Sequence, residues 1–397
     1  MELGPAVSDS ESGAGEPPKW VPGLIASVCM GLVFGGVMDL GKVTLPLVIR
    51  EQFIFQRFIM LKMFLGAAGG SAFFFAILSK VAPRKFEAAR AHSYVQNKGL
   101  LAVTVGPMIL GVGMALAGSC PGMVLIQCGS GVPSGPITLA GGFVAAVLFG
   151  IVQPYLVPFM GSCNMQKAKA EDIGILSKLP FWMPAMALCA CCWGAIGIFE
   201  GLFPWDSGGK HWNKWLWSGE LLSFTVPWKN QFPPELMGLI VGFLQVPCVL
   251  FLSDSLGSSS AYMTLSSQLL LVKGVQEKLP HWNGYRLGLG NWWQATYLIS
   301  AVLGAFILSY TTGTFGMALG VDTWEALVGG FLMIFGSRIG SGCTSGHGLS
   351  GMGLLALRSI IAVPAMFFGG IFVGFIYQAV DPMGYTGRLL PISILPP

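Results

Sequence analysis

The sequence predicts an all-α polytopic membrane protein of about nine transmembrane helices. They form two inverted four-helix repeats joined by a linking helix, and each repeat carries a re-entrant Cys hairpin. Three observations predict this fold. Only 10% of the 397 residues are charged and 53% are hydrophobic, against roughly 25% charged in a soluble domain. Apolar stretches of spanning length recur along the chain. Features of the first half return in the second half, in the same order.

The composition makes lipid the solvent for much of the chain, because a soluble fold of this length has no way to hide so much apolar surface. The 56 glycines agree, since small residues let membrane helices approach closely. A net charge of +4, with no basic cluster interleaved with aromatics, argues against a nucleic-acid partner.

In chain order, residues 1–19 are polar, acidic and rich in Ser, Gly and Pro. They lack the basic and apolar regions of a secretory signal and read as a disordered N-terminal tail. Spans near Val21–Leu40, Phe58–Lys80, Gly99–Ala117 and Ile137–Val157 make a first repeat over 20–160. A linking helix near Phe181–Phe203, with its loops, occupies 161–235. Spans near Leu236–Ser253, Trp292–Thr312, Glu325–Ile339 and Ser359–Val380 make a second repeat over 236–397. Gly-rich stretches holding Cys120 and Cys343 follow the third and eighth spans. They are too short and polar to span, yet too poor in charge to be ordinary loops, so a re-entrant segment fits them.

The repeat rests on order. Gly23-Leu24-Ile25 returns as Gly238-Leu239-Ile240, and Asp39 returns as Asp254 at the same offset along the chain. Cys120 returns as Cys343, and Gly113 returns as Gly336, again with one offset common to both. Gly141-Gly142 matches Gly369-Gly370. Four spans and a connecting fifth give the second copy the opposite orientation, the plan of many transporters. Lys80, Arg84, Lys85, Arg90 and Lys98 crowd one loop and suggest a cytoplasmic side, although Arg50 and Arg57 make the opposite side basic as well.

The nine cysteines show neither a disulfide framework nor paired CxxC knuckles. Cys29, Cys189, Cys191, Cys192 and Cys248 read as small buried hydrophobes. The Cys189–Cys192 cluster sits in mid-helix, where neighbouring positions face different directions, so packing is expected there rather than metal.

Chemistry concentrates in the two hairpins. In Gly118-Ser119-Cys120-Pro121-Gly122, a proline after the cysteine predicts a short helix over Pro121–Cys128. Its free N–H groups would face the Cys120 thiol, an arrangement that attracts anions and activates thiols. In Gly342-Cys343-Thr344-Ser345-Gly346-His347-Gly348, Thr344, Ser345 and backbone amides offer donors. Glycine lets the backbone approach a ligand closely. His347 either donates to a ligand or ties down a turn. Arg338 is an intramembrane cation that either attracts an anion or snorkels. Asp39 and Asp254 read as local caps or pairs, and Lys62 as a snorkelling lysine. Cys343 and His347, four residues apart, would suit a cysteine hydrolase, but no orienting carboxylate is evident.

The stretches Gly113–Gly122 and Gly336–Met352, with Gly257-Ser258-Ser259-Ser260-Ala261-Tyr262, resemble the signatures of the YeeE/YedE sulfur-transport family. The similarity covers nearly the whole chain after the tail. It implies thiosulfate uptake through an inverted-repeat helical protein, whose cysteines hand the ion across by thiol contacts with its sulfur. By position, Cys120 and Cys343 are two of those thiols. Gly118, Ser119, Pro121, Gly342, Thr344, Ser345, His347 and Arg338 would complete the pocket. One departure stands out: the family's bacterial members carry a further Cys after the first span, and Val43–Phe58 has none.

The expected function is therefore transport of thiosulfate, or a related small sulfur anion, through a multi-pass protein of the plasma (or inner) membrane. No catalytic residue, metal or cofactor is expected. A membrane sulfurtransferase carrying a persulfide on Cys343 and a passive small-anion channel remain as alternatives. A cytosolic sulfur-carrier or rhodanese-like protein is the partner that coupled delivery would call for.

Overall fold

The computed structural model describes residues 20–95, 99–160, 179–204, 232–271 and 279–380. The acidic tail and Cys163 lie outside them. Every regular element among the described residues is helical.

The first half runs α1 (Trp20–Leu40), α2 (Pro46–Phe53), α3 (Ile59–Val81), α4 (Pro83–Val95), α5 (Leu100–Ala117), α6 (Met123–Gly129) and α7 (Gly135–Met160). Then comes α8 (Trp182–Leu202). The second half opens with α9, Pro234–Leu252, which ends in a π turn over Cys248–Leu252. It continues with α10 (Ser259–Ser266), α11 (Leu289–Thr311), α12 (Thr323–Ile339), a π turn over Thr344–Gly351, and α13 (Leu357–Val380). Among the described residues eight helices are long and apolar enough to cross a membrane, and nine if α12 and its π turn, bent by 48°, count as one broken span. The eighth expected span, Glu325–Ile339, therefore reaches spanning length only together with the turn that follows Cys343.

The two halves share more than order. Within each, a short helix follows the first span (α2, α10), and a short helical turn follows the Cys hairpin. Packing between the halves is reciprocal: α1 lies on α11 and α9 on α3, while α5 lies on α13 and α12 on α7. At the centre α5 crosses α12 through glycines. Gly106 abuts Gly340, Gly113 abuts Met333 and Gly329, and Ala117 abuts Gly329, so the two helices run antiparallel. A Cβ at Gly113 would lie 2.6 Å from the Gly329 carbonyl oxygen, a contact only glycine permits. Advancing Gly106, Gly113 and Ala117 by the offset from Cys120 to Cys343 gives Gly329, Gly336 and Gly340, so each contact maps onto its partner.

Several expectations are corrected. The basic loop after α3 is largely helix α4, whose Phe86 and Ala89 pack on Phe75, Leu78, Val249 and Leu354. Lys62 does not snorkel. It is 1% exposed, and its ammonium donates to the Glu200 carboxylate and the Phe203 carbonyl at the end of α8. Of the five cysteines expected to be buried, Cys192 and Cys248 are; Cys189 is half-buried, and Cys29 and Cys191 are exposed on apolar helix faces. Arg50 and Arg57 are buried in ion pairs with Glu325 (2.6 Å) and Glu51 (2.8 Å) rather than lying free at a surface.

Candidate functional site

The second hairpin begins where α12 ends. Ser341, at φ 62°, reverses the chain, and Cys343 enters the interior at 1% exposure. Its sulfur sits in a nest of neutral donors. The Ser258 N–H points to it at 3.4 Å, and the Ser258 and Ser345 hydroxyls each lie 3.1 Å away. The two hydroxyls are 3.2 Å from each other, which closes a triangle. The Gly346 amide also faces the sulfur. Ser258 is the N-cap residue of α10, so the start of that helix is what aims both of its donors at the thiol.

The other residues of this hairpin have separate tasks. Thr344 turns away from the thiol and donates to the thioethers of Met114 (3.2 Å) and Met366 (3.5 Å). Both ring nitrogens of His347 are engaged, Nδ1 with the Ser359 hydroxyl at 3.1 Å and Nε2 with the Gly340 carbonyl at 3.0 Å. The ring thus ties the π turn to α12 and α13, and it is not a base for Cys343. Gly342 gives it room, since a Cβ there would sit 2.6 Å from Nε2. Arg338 is buried between the rings of Phe149 and Tyr285, with Nη1 3.5 Å from the Ser260 hydroxyl. It lies on the side of α12 facing α7 and α10, outside the thiol nest.

The first hairpin is built alike with fewer donors. Gly118, at φ 57°, turns the chain at the end of α5 against Pro46. Cys120 follows, buried, with the Gly122 and Met123 amides directed at its sulfur. The helix starts at Met123, two residues later than expected, and the carbonyl of Pro121 accepts from the Tyr262 hydroxyl at 2.8 Å. Ser119 is fully buried, with its hydroxyl 3.5 Å from the Cys120 carbonyl. Gln127 closes the hairpin by donating to the carbonyls of Thr44 (3.0 Å) and Gly118 (2.9 Å). Its counterpart in the second half, Ser350, donates to the Leu256 carbonyl at 2.6 Å.

The hairpins meet. A Cβ on Gly122 would lie 3.3 Å from the Ser258 hydroxyl, which is itself 3.1 Å from the Cys343 sulfur. Ser258 therefore stands between the Cys120 hairpin and Cys343. Tyr262, Tyr297 and Phe34 wall the same interior, with the Phe34 and Tyr297 rings 5.2 Å apart. Sequence reading misses Ser258 as a site residue, although it singles out the Gly257–Tyr262 stretch that holds it. Among the described residues no three His, Cys, Asp or Glu side chains gather as a metal site.

This arrangement suits a soft anion. Thiols, hydroxyls and amides gather in a buried interior, and among the described residues no fixed charge lies against either sulfur. An anion placed there would meet hydrogen-bond donors and no salt bridge.

Comparison with known proteins gives a family and two kinds of relative. The family described as "Sulphur transport" matches residues 40–372. A "thiosulfate transporter TsuA" from Spirochaeta thermophila is 21% identical over 336 residues, 84% of this chain and 92% of that protein. A "probable transporter" from Xylella fastidiosa strain 9a5c is 33% identical over 76 residues, 19% of this chain. The chain spans 56% of that relative's length.

Proposed function

The chain belongs to the sulphur-transport family, and on that premise we propose that it carries thiosulfate, or a closely related small sulfur anion, past the Cys120 and Cys343 thiols. It is a multi-pass membrane transporter and not an enzyme. The plasma membrane is the usual location of such proteins.

One observation carries the proposal: the Cys343 sulfur is held by neutral donors at the point where the two hairpins meet. A thiol so held offers its S–H to the terminal sulfur of thiosulfate, while Ser258 and Ser345 share the anion's oxygens. Cys120, reached from the opposite hairpin, takes or passes on the same ion. Each contact is a neutral hydrogen bond, weak enough to exchange as the anion moves.

The antiparallel crossing of α5 and α12 and the reciprocal packing of the halves support reading 20–160 and 236–397 as inverted copies about a shared midplane site. Burial of Arg50 and Arg57 in ion pairs removes them from the count of free basic residues. Arg84 and Lys85, exposed at the start of α4, then favour a cytoplasmic N-terminus. Delivery to a cytosolic sulfur-carrier or rhodanese-like protein would follow release on that side.

Uptake of labelled thiosulfate into proteoliposomes tests the reading, with Cys120→Ala and Cys343→Ala alongside. Both variants should lose most of the uptake. Undiminished uptake in both would remove the thiols from the route.

A further inference from the structure

At the far end of α1 lies a charge pair that the thiol site does not use. Asp39 and Lys42 are 3% and 2% exposed. The Lys42 ammonium and Asp39 Oδ2 are 3.9 Å apart, beyond hydrogen-bond distance, and neither atom has a hydrogen-bond partner. Two buried ions held apart in this way are costly, since neither regains by contact what it lost in hydration. Lys42 also adopts φ 53°, a left-handed backbone that a side-chain-bearing residue rarely takes. The turn thus holds the lysine inward, although a lysine one turn past a span end ordinarily snorkels to water. Burial pushes the Lys42 ammonium down, and only the charge of Asp39 opposes it.

The pair is wired to the Cys120 hairpin. The Ser130 hydroxyl, just past the end of α6, donates to Asp39 Oδ1 at 3.0 Å. The turn that carries Lys42 also carries Thr44, whose carbonyl receives Gln127 of α6. Asp39 and the hairpin therefore share two ties.

The surroundings hold few competing charges. On this end of α1, α11 presents no charged side chain, and the π turn of α9 lies at the opposite end, where Leu252 meets Gly23. α6 presents Ser130. The starts of α9 and α3 pack on this end, where the Phe232 N–H donates to the Leu40 carbonyl at 3.3 Å and Gly41 lies against Met63 and Met237; the charges they carry are Glu235 and Lys62, the latter bound to Glu200. On α2, Arg50 and Glu51 are taken by Glu325 and Arg57.

Resting on the transport reading above, we propose that Asp39 and Lys42 form a proton-exchange site that couples movement of the sulfur anion to a proton. An O–H bond forms at Asp39 Oδ2 with a proton drawn from water on that side, the carboxylate charge is cancelled, and Lys42 remains an ammonium. No electrons change hands. The neutral acid accepts more weakly from Ser130, which loosens the tie between α1 and the Cys120 hairpin. It also leaves Lys42 as an uncompensated cation on the side from which a dianion arrives. Loss of the proton on the other side restores the tie.

Purified full-length protein in proteoliposomes loaded with a pH-sensitive dye tests this, with labelled thiosulfate as the probe. Wild type should acidify the vesicle interior in step with uptake, and an acid-outside gradient should drive accumulation. Asp39→Asn should lose both, while label-for-label counterflow at equal pH persists. Acidification retained in Asp39→Asn, or absent from an actively transporting wild type, overturns the coupling site. A wild type that takes up no thiosulfate overturns the transport reading, and this one with it. Should Asp39→Asn fail to reconstitute, Lys42→Gln decides. Removing the opposite charge should move the pH profile of uptake upward by about one to three units, and an unmoved profile rejects the site.

Discussion

Replacing Ser258 by alanine separates the thiol nest from the thiol itself. The serine hydroxyl closes two sides of the triangle, 3.1 Å to the Cys343 sulfur and 3.2 Å to Ser345. Alanine removes both and keeps the backbone N–H at 3.4 Å from the sulfur. At about 0.5–1.5 kcal/mol net for each hydrogen bond, the loss is about 1–3 kcal/mol. That corresponds to roughly 5- to 150-fold in half-saturation for thiosulfate. The alanine side chain fits inside the volume it replaces, and Ser258 is the N-cap of α10 without a side-chain cap bond, so folding should be little affected. Proteoliposome uptake over a range of thiosulfate concentrations reads the change, and labelling of Cys343 by a small maleimide reads the geometry. The expected result is weakened half-saturation with the protein still monodisperse, and an altered Cys343 labelling rate. If Ser258→Ala transports like wild type while Cys343→Ala is inactive, the nest does not hold the ion, and the donors around the sulfur are only packing.

Gly122→Ala would put a methyl 3.3 Å from the Ser258 hydroxyl. Uptake should slow by about tenfold or less, ~1 kcal/mol of crowding, with no change in the melting temperature of the detergent-solubilised protein. Glu325→Gln leaves Arg50 buried without its counter-charge and should cost about 3–5 kcal/mol. The double change Arg50→Met with Glu325→Leu should recover most of that loss in the same melting assay, whereas a double variant as unstable as the sum of the single ones would contradict the ion-pair account. A Cβ at Gly35 would already lie 2.7 Å from the Ala301 carbonyl carbon. Gly35→Val should therefore push α1 off α11 at a cost of about 1–3 kcal/mol or more, seen as loss of the monodisperse peak in size-exclusion chromatography.

Elements coded locally are readable in advance. Spans announce themselves as apolar runs, and the hairpins as glycine and cysteine where charge is scarce, so their places come within a few residues. What sequence reading misses depends on distant partners. Among its described side chains α4 offers only Phe86 and Ala89 as buried apolar residues, and their pockets are built by α3, α9 and the turn before α13. Lys62 carries no mark of burial, because its carboxylate lies 138 residues away. Ser258 is one serine among three in a row, and its value comes from capping a helix beside a cysteine 85 residues on. His347 stands out as a titratable group, yet its role is decided by Ser359 and the Gly340 carbonyl, one beyond the hairpin and one before it.

The halves share a plan but not all of its residues. Where the second half places Ser258 at the cap of α10 to face Cys343, the first half places Leu45 at the cap of α2, followed by Pro46, which has no N–H to give. On the proposed route the two hairpins would therefore hold an anion with different strength. Equal ends would make a carrier that answers alike from either side; unequal ends give different half-saturation concentrations inward and outward. Detailed balance still forbids net movement without a gradient. On that route, Leu-Pro in place of Ser-Ser would set how quickly each face fills and empties, and would leave the direction of net flow to the gradients across the membrane.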